Sequence, residues 1–326
     1  MIVIAGAGSI GCFVGGLLEA AGRPVTFLGR PRLIADIRAH GLRLTDFSGL
    51  DVSVQPAHLT DDPACLAGAD LILVCVKTGA TCEIARSISA HAPVSTPVIS
   101  LQNGLDAIDM LRTELPDRDI RAGMVPFNVV PAAPGNFHRA TSGDIVIGTG
   151  PVDLSGTLTV PGLTTTQSAQ ITAIQWGKLL LNLNNAINAL SGLTLQAQFS
   201  DRAWRLVMAD QMAEALRVLR SAGLPVRSTT PVPARLIPHI LRLPTPLFRR
   251  IAAQMLTIDP SARASMSHDL SVRRKTEIDA LQGKIISLGA RHDVPTPINT
   301  RIAALIRQAE ASGQGSPHLA PADLRP

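Results

Sequence analysis

Tyrosine is absent from this chain of 326 residues, and aromatic residues of every kind make up only 3%. Proteins that hold single-stranded nucleic acid stack bases on aromatic rings along a basic groove. The chain is basic, with net charge +5 and a pI near 9.5, but its arginines are scattered and the rings are missing. Nucleic acid is therefore not expected as a partner. Cysteine is scarce as well. Cys12, Cys65, Cys75 and Cys82 form no C-x-x-C pair, which points to free thiols in a reducing compartment. No apolar run is long enough to span a bilayer, and no signal peptide precedes the first strand. A cytoplasmic location with no membrane partner is expected, and no metal. What is present is globular in balance, with 46% hydrophobic and 17% charged residues. The length exceeds one typical core and implies two domains.

The first 22 residues, MIVIAGAGSIGCFVGGLLEAAG, carry the strongest signal. Ile2-Val3-Ile4-Ala5 is a short apolar run bounded by glycine, as a buried parallel strand reads. Gly6-Ala7-Gly8-Ser9-Ile10-Gly11 follows at once and fits G-x-G-x-x-G. A helical run then closes on Gly22, suited to a left-handed C-cap. In a dinucleotide site the first glycine permits the tight turn and the second lets the backbone approach a pyrophosphate. The third lets helix and strand pack closely, and the helix N-terminus supplies free N–H donors. The motif alone is weak; its place between strand and helix gives it weight. Gly15 and Gly16 cost helix stability, which close packing against a sheet would explain.

Pro24 to Leu28 reads as the second strand. An NAD site would carry an acid near its end for the ribose 2′-hydroxyl. Here Gly29-Arg30-Pro31-Arg32 follows, with no acid before Asp36. Arg30, with Arg32 beside it, suits a 2′-phosphate instead, which favours NADP.

Residues 41–54 alternate around Ser48-Gly49 as a hairpin does. Asp70–Val76 and Pro97–Leu101 read as further buried strands, with a helix over Thr81–Ala90 between them. Such alternation means a parallel sheet with helices on both faces, and ligands bind beyond the carboxyl ends of its strands. Lys77 and Asn103 fall at two such ends. Arg121–Val130 and Gly143–Gly148 read as strands, with a turn over Pro131–Gly135.

Past a stretch rich in Gly, Pro, Ser and Thr the pattern becomes helical. Residues 172–190 read as one Leu-rich helix in which Lys178, Asn182 and Asn185 stand at i, i+4 and i+7, on one face. Polar groups on such a helix need a polar site or solvent. A helix over Asp201–Ala222 follows. Pro225–Pro246 holds too many prolines for one element. Residues 261–291 carry a long helical pattern containing Ser265, Asp269 and Glu277. Thr296-Pro297 opens a last helix. The organisation expected is a Rossmann-type α/β dinucleotide-binding domain over residues 1–168, an all-α domain over 169–311 and a flexible tail over 312–326.

Several of these pieces together resemble the ketopantoate reductase (2-dehydropantoate 2-reductase) family. The resemblance runs from Met1 to about Ala311. It rests on GAGSIG, Val76-Lys77, Gln102-Asn103-Gly104, Trp176-Gly177-Lys178-Leu179 with Asn182, Ser265-Met266 with Asp269, and Thr276-Glu277-Ile278-Asp279. It implies NADPH-dependent reduction of ketopantoate in pantothenate biosynthesis. It implies Lys178 as proton donor and Asn103, Asn182 and Ser265 as substrate contacts. Lys77 and Glu277 would help hold the cofactor or the substrate hydroxyl, Asn103 would also touch the cofactor, and Glu277 would join Lys178 as a catalytic residue. Val129 falls where the family's chain passes the nicotinamide, and Arg30 where it meets the 2′-phosphate. The residue types suit the chemistry. Hydride transfer to a ketone builds negative charge on oxygen, and a lysine of lowered pKa can neutralise it.

Two departures lie on the substrate side. Ala186 stands where the family has an asparagine eight residues after the lysine, with Asn185 beside it as a substitute. Another family asparagine falls near Gln196. Reduction of another branched 2-oxo acid stays open, as does a non-catalytic NADP-binding redox sensor, and so does a homodimer.

Overall fold

The computed structural model describes residues 1–252 and 262–325. It divides into two compact units, Met1–Thr172 and Ala173–Pro326. The first unit carries β1 (Ile2–Ala5), β2 (Val25–Leu28), β3 (Leu42–Asp46), β4 (Asp51–Val54), β5 (His58–Thr60), β6 (Leu71–Val74), β7 (Val98–Ser100), β8 (Ile120–Met124), β9 (Val129–Ala133), β10 (Asn136–Arg139), β11 (Ile145–Gly148) and β12 (Thr165–Ser168). Its helices are α1 (Ser9–Ala20), α2 (Pro31–His40), α3 (Thr81–His91), α4 (Asp106–Glu114) and the short α5 (Ser155–Leu158). The larger sheet runs β12-β11-β8-β7-β6-β1-β2-β5. Its pairs are parallel except β11 with β8. β1, β2 and β6 are buried along their whole length, as the uninterrupted apolar runs require of strands covered on both faces.

A second sheet, ordered β4-β3-β10-β9, was not legible in the sequence. The hairpin around Ser48-Gly49 forms its β3–β4 pair. The rest corrects the single strand expected over Arg121–Val130. That stretch divides into β8 in the large sheet and the start of β9 in the small one. Pro131, expected in a turn, lies within β9, which is an edge strand and can dispense with an N–H. The turn is confined to Pro134-Gly135, with Gly135 at φ +71°. Helix α1 is pressed by both sheets. A Cβ on Gly15 would come within 2.6 Å of Phe27 and 2.7 Å of Ile4, and one on Gly16 within 2.8 Å of Leu44. Close packing accounts for both glycines, on two sheets instead of one. Asp46 pairs with Arg139 across the small sheet, and the Arg139 guanidinium lies over the rings of Phe13 and Phe127.

The second unit is helical: α6 (Ile171–Asn182), α7 (Asn184–Ser191), α8 (Leu195–Ser200), α9 (Arg202–Ser221), α10 (Ile237–Leu241), α11 (Thr245–Ile251), α12 (Ser265–Ser271), a π-type turn over Asp279–Gly283, α13 (Lys284–Arg291) and α14 (Pro297–Ser312). The start of the pattern expected over 261–291 falls at Ser261, outside the described residues. The remainder is not one helix. α12 stops in a Schellman arrangement, with Arg273 at φ +54°, Arg274 N–H donating to Asp269 O and Arg273 N–H to Leu270 O. The left-handed residue is an arginine, not a glycine, so no punctuating residue announced the stop. The segment expected as a flexible tail lies against the helices. Leu319 N–H donates to Leu190 O at 3.0 Å, and Leu324 is fully buried. Among the described residues no helix is long and apolar enough to cross a membrane.

Candidate active site

In the first unit β7, β6, β1 and β2 are adjacent and parallel, so the loops that follow them emerge at one sheet edge. Those loops carry Asn103, Lys77, Gly6–Gly11 and Arg30, the residues singled out from the sequence. The glycine loop is tied to the end of β2, because Gly6 and Ala7 both donate backbone N–H to Leu28 O at 3.0 Å. Gly6 sits at φ +109°, and a Cβ there would meet Val76 N at 2.7 Å. A Cβ on Gly11 would meet Gly6 O at 2.4 Å. Around Gly8 the opposite holds, with no atom within 4 Å of where a Cβ would stand. Gly8 is also the N-cap of α1 and provides no side-chain cap. The first N–H groups of a helix, here those of Ser9 and Ile10 onward, have no acceptor within it. Two glycines are thus required by packing, while the third keeps space open beside unused donors. That is the cradle a pyrophosphate needs.

Arg30 is exposed at the N-cap of α2, and Lys77 is exposed where the chain leaves β6 for α3. Asn103 is half-buried. Its neighbour Gln102 is a loop anchor, donating Nε2 to Thr81 Oγ1 at 2.8 Å and accepting from Ser100 Oγ at 3.0 Å. Val129 begins β9 with its side chain in the hydrophobic core, so only its backbone is available to a ligand. Cys12 and Cys75 lie beside this loop, and burial pushes both thiols up, Cys75 to about 12. They are inert at neutral pH.

In the second unit the helix expected over 172–190 is interrupted at Leu183, between α6 and α7. The interruption has a visible partner: the fully buried Gln282 donates Nε2 to Leu183 O at 2.8 Å. Lys178, Asn182 and Asn185 are half-buried among fully buried leucine, isoleucine and alanine. Burial lowers the pKa of Lys178, and the charge of Glu277 partly restores it, leaving the ammonium at about 8. Glu277 stands two residues before the π-type turn Asp279–Gly283, which carries Gln282. The same side-chain-to-backbone bond therefore fastens this turn to the end of the Lys178 helix. Gly177 serves the Pro-rich stretch, which crosses α6 there. A Cβ on Gly177 would lie 1.9 Å from Arg227 O, and Arg227 N–H donates to Ala173 O.

Ser265 is the first residue of α12, which packs on α7. Its position is fixed by a residue the sequence reading missed. Asn188 is fully buried. Its Oδ1 accepts the N–H of Ala264 at 2.9 Å, and its Nδ2 donates to Leu193 O and to Gln198 Oε1. Gln198, also fully buried, donates onward to Asn184 Oδ1 at 2.8 Å. The available signal was polar amides recurring in an apolar helical run, since such groups are buried only when bonded. Ala186 is fully buried and carries no polar group to offer a ligand.

Both units match one family. Residues 2–151 fit the family model described as ketopantoate reductase PanE/ApbA, and residues 170–310 the model of its C-terminal part. The 2-dehydropantoate 2-reductase of Halobacterium salinarum is 28% identical over 321 residues, which are 96% of this chain and 99% of that protein. The crystal structure of a PanE/ApbA-family ketopantoate reductase from Ralstonia eutropha is 31% identical, with a TM-score of 0.82 over 96% of this chain and 99% of that one. A D-mandelate dehydrogenase solved with NADH and anilino(oxo)acetate shares the fold. It has 21% identity and a TM-score of 0.78, over 96% of this chain and 99% of that one.

Proposed function

We propose that this chain, which belongs to the ketopantoate reductase family of nicotinamide-dependent oxidoreductases, reduces 2-dehydropantoate to pantoate with NADPH, using Lys178 as proton donor. The observation that carries the reading is the lysine. Burial, offset in part by Glu277, holds its pKa at about 8, so it is protonated at neutral pH yet gives up its proton far more readily than a solvated lysine.

The Gly6–Gly11 loop fits a dinucleotide pyrophosphate, as the space at Gly8 indicates, and Arg30 is available to a 2′-phosphate through charge-assisted hydrogen bonds. NADPH, when bound, supplies the hydride. Lys178 neutralises the charge that builds on the ketone oxygen and delivers the proton there. Asn182, Asn185, Ser265 and Asn103 orient the substrate by hydrogen bonds without adding a charge that would compete with the lysine. Lys77 assists at the cofactor. Glu277 accepts from a substrate hydroxyl and keeps Lys178 charged in the resting enzyme.

A second reading, reduction of another small branched 2-oxo acid, is favoured by one observation: the buried Ala186 withdraws a substrate contact that the family has. The test is loss of NADPH absorbance with 2-dehydropantoate and a panel of other 2-oxo acids, with NADH as control. Turnover of 2-dehydropantoate well above the rest, and with NADPH over NADH, is expected. Turnover of a different acid moves the substrate, and parity of NADH with NADPH removes the cofactor assignment.

A further inference from the structure

Between the end of α12 and the turn that begins after Glu277 the chain leaves regular structure, and Glu277 must be held by something else. The left-handed Arg273 directs the chain away from α12. Three residues later Thr276 does two things. Its Oγ1 accepts the N–H of Ile278 at 3.3 Å, a local bond just before the next helical turn, and its own N–H donates to Glu310 Oε1 at 2.7 Å. Glu310 lies on α14, one turn beyond Arg307, which pairs with Asp279 at 2.6 Å. α14 is therefore a template with one contact on each side of Glu277. The Arg307–Asp279 pair is exposed on both partners and contributes little. The Glu310 bond is part-buried and directed at the backbone next to Glu277, so it is the stronger of the two.

We propose that Glu310 is a positioning residue for the reaction: by accepting the Thr276 N–H it sets where Glu277 stands relative to the Lys178 helix. The proposal rests on the reading of Lys178 and Glu277 given above. What it needs from Glu310 is an acceptor at the right reach, not a negative charge. Glutamine has the same reach and an equivalent oxygen. Aspartate keeps the charge but falls short by roughly 1.5 Å, one carbon–carbon bond.

The experiment compares Glu310→Gln and Glu310→Asp in the full chain, by steady-state kinetics with NADPH and 2-dehydropantoate and by hydrogen exchange of the peptide spanning Thr276. Expected is a fall in kcat/KM of about tenfold for Glu310→Asp, the scale of one lost hydrogen bond, with faster exchange at Thr276. Glu310→Gln should stay within about twofold in both readouts, as an exchange of equivalent acceptors should. In a Glu277→Gln background Glu310→Asp should add less than about twofold, because two residues acting through one group are not additive. Glutamine as impaired as aspartate, or a full effect in the Glu277→Gln background, overturns the proposal. A wild-type chain that does not turn over 2-dehydropantoate sinks the functional reading instead. The exchange result then decides by itself whether Glu310 holds the Glu277 segment, and unchanged exchange in Glu310→Asp refutes it.

Discussion

The cofactor loop proposed over Gly6–Gly11 in the first unit would offer a ligand its backbone, whereas the residues proposed in the second unit, Lys178, Asn182, Asn185, Ser265 and Glu277, would offer side chains. The backbone site is contiguous and is shaped by what is absent, since any Cβ at Gly6 or Gly11 collides and one at Gly8 would fill the open space. The side-chain site draws on residues far apart in the chain and is shaped by buried amides. Gln282 holds Leu183 across 99 residues, and Asn188 holds Ala264 across 76. A backbone site tolerates almost any side chain around its glycines but no change of them. A side-chain site depends on bonds from residues that never touch a ligand.

The sharpest way to separate the two is Lys178→Ala. Turnover should fall at least a hundredfold, the scale of a lost general acid, while NADPH affinity measured by fluorescence titration stays where it was. A matching loss of NADPH affinity would mean that the lysine belongs to the cofactor. Next comes pH. The mechanism needs protonated Lys178, so log(kcat/KM) should be level below about 8 and fall by about one per pH unit above it. In Glu277→Gln the limb should move to lower pH, because the charge that raises the lysine is gone. A limb that stays near the ordinary lysine range would remove burial as the tuning agent.

The glycines sharpen the comparison from the other side. Gly11→Ala should cost stability, about 1–3 kcal/mol for a forced overlap in a packed site, seen as a lower melting temperature. Gly8→Ala should leave the melting temperature unchanged and weaken NADPH about tenfold by occupying the space beside the helix N-terminus. Equal behaviour of the two variants would dissolve the distinction between packing glycine and ligand glycine. The most cofactor-selective effect is at Arg30. Arg30→Ala should weaken NADPH about tenfold, the scale of charge-assisted contacts to a phosphate, and NADH by less than about twofold.

The legibility of each unit follows the same division. The strand, glycine loop and helix at the N-terminus were readable because their contacts lie within a few residues of one another. So were β6, β7 and the hairpin β3–β4. The small sheet escaped notice because β10 pairs with β3 across 93 residues, as the Thr45–His138 bond measures, and because Pro131 reads as a turn when its edge position is unknown. In the helical unit the i, i+4 spacing holds for Lys178 and Asn182 within α6, whereas Asn185 falls in α7, beyond the interruption at Leu183 that ends the single helix expected over 172–190. Yet neither the interruption at Leu183 nor the stop at Arg273 has a glycine or proline to mark it. The docked C-terminal segment, rich in residues typical of a tail, hides a single buried leucine.

By itself the sequence determined the local elements and their chemistry: a strand and helix joined by a turn only glycine can make, an arginine where an acid would select NAD, and a lysine and two asparagines at helical spacing. These follow from steric limits and periodicity, which act over a few residues. The tertiary structure alone decided that Glu277 comes close enough to Lys178 to raise its pKa, that Asn188 and Gln282 hold the elements around them, and that α1 lies between two sheets. Those outcomes depend on which distant polar groups become buried together, and a buried donor must find its acceptor wherever the packed chain places one.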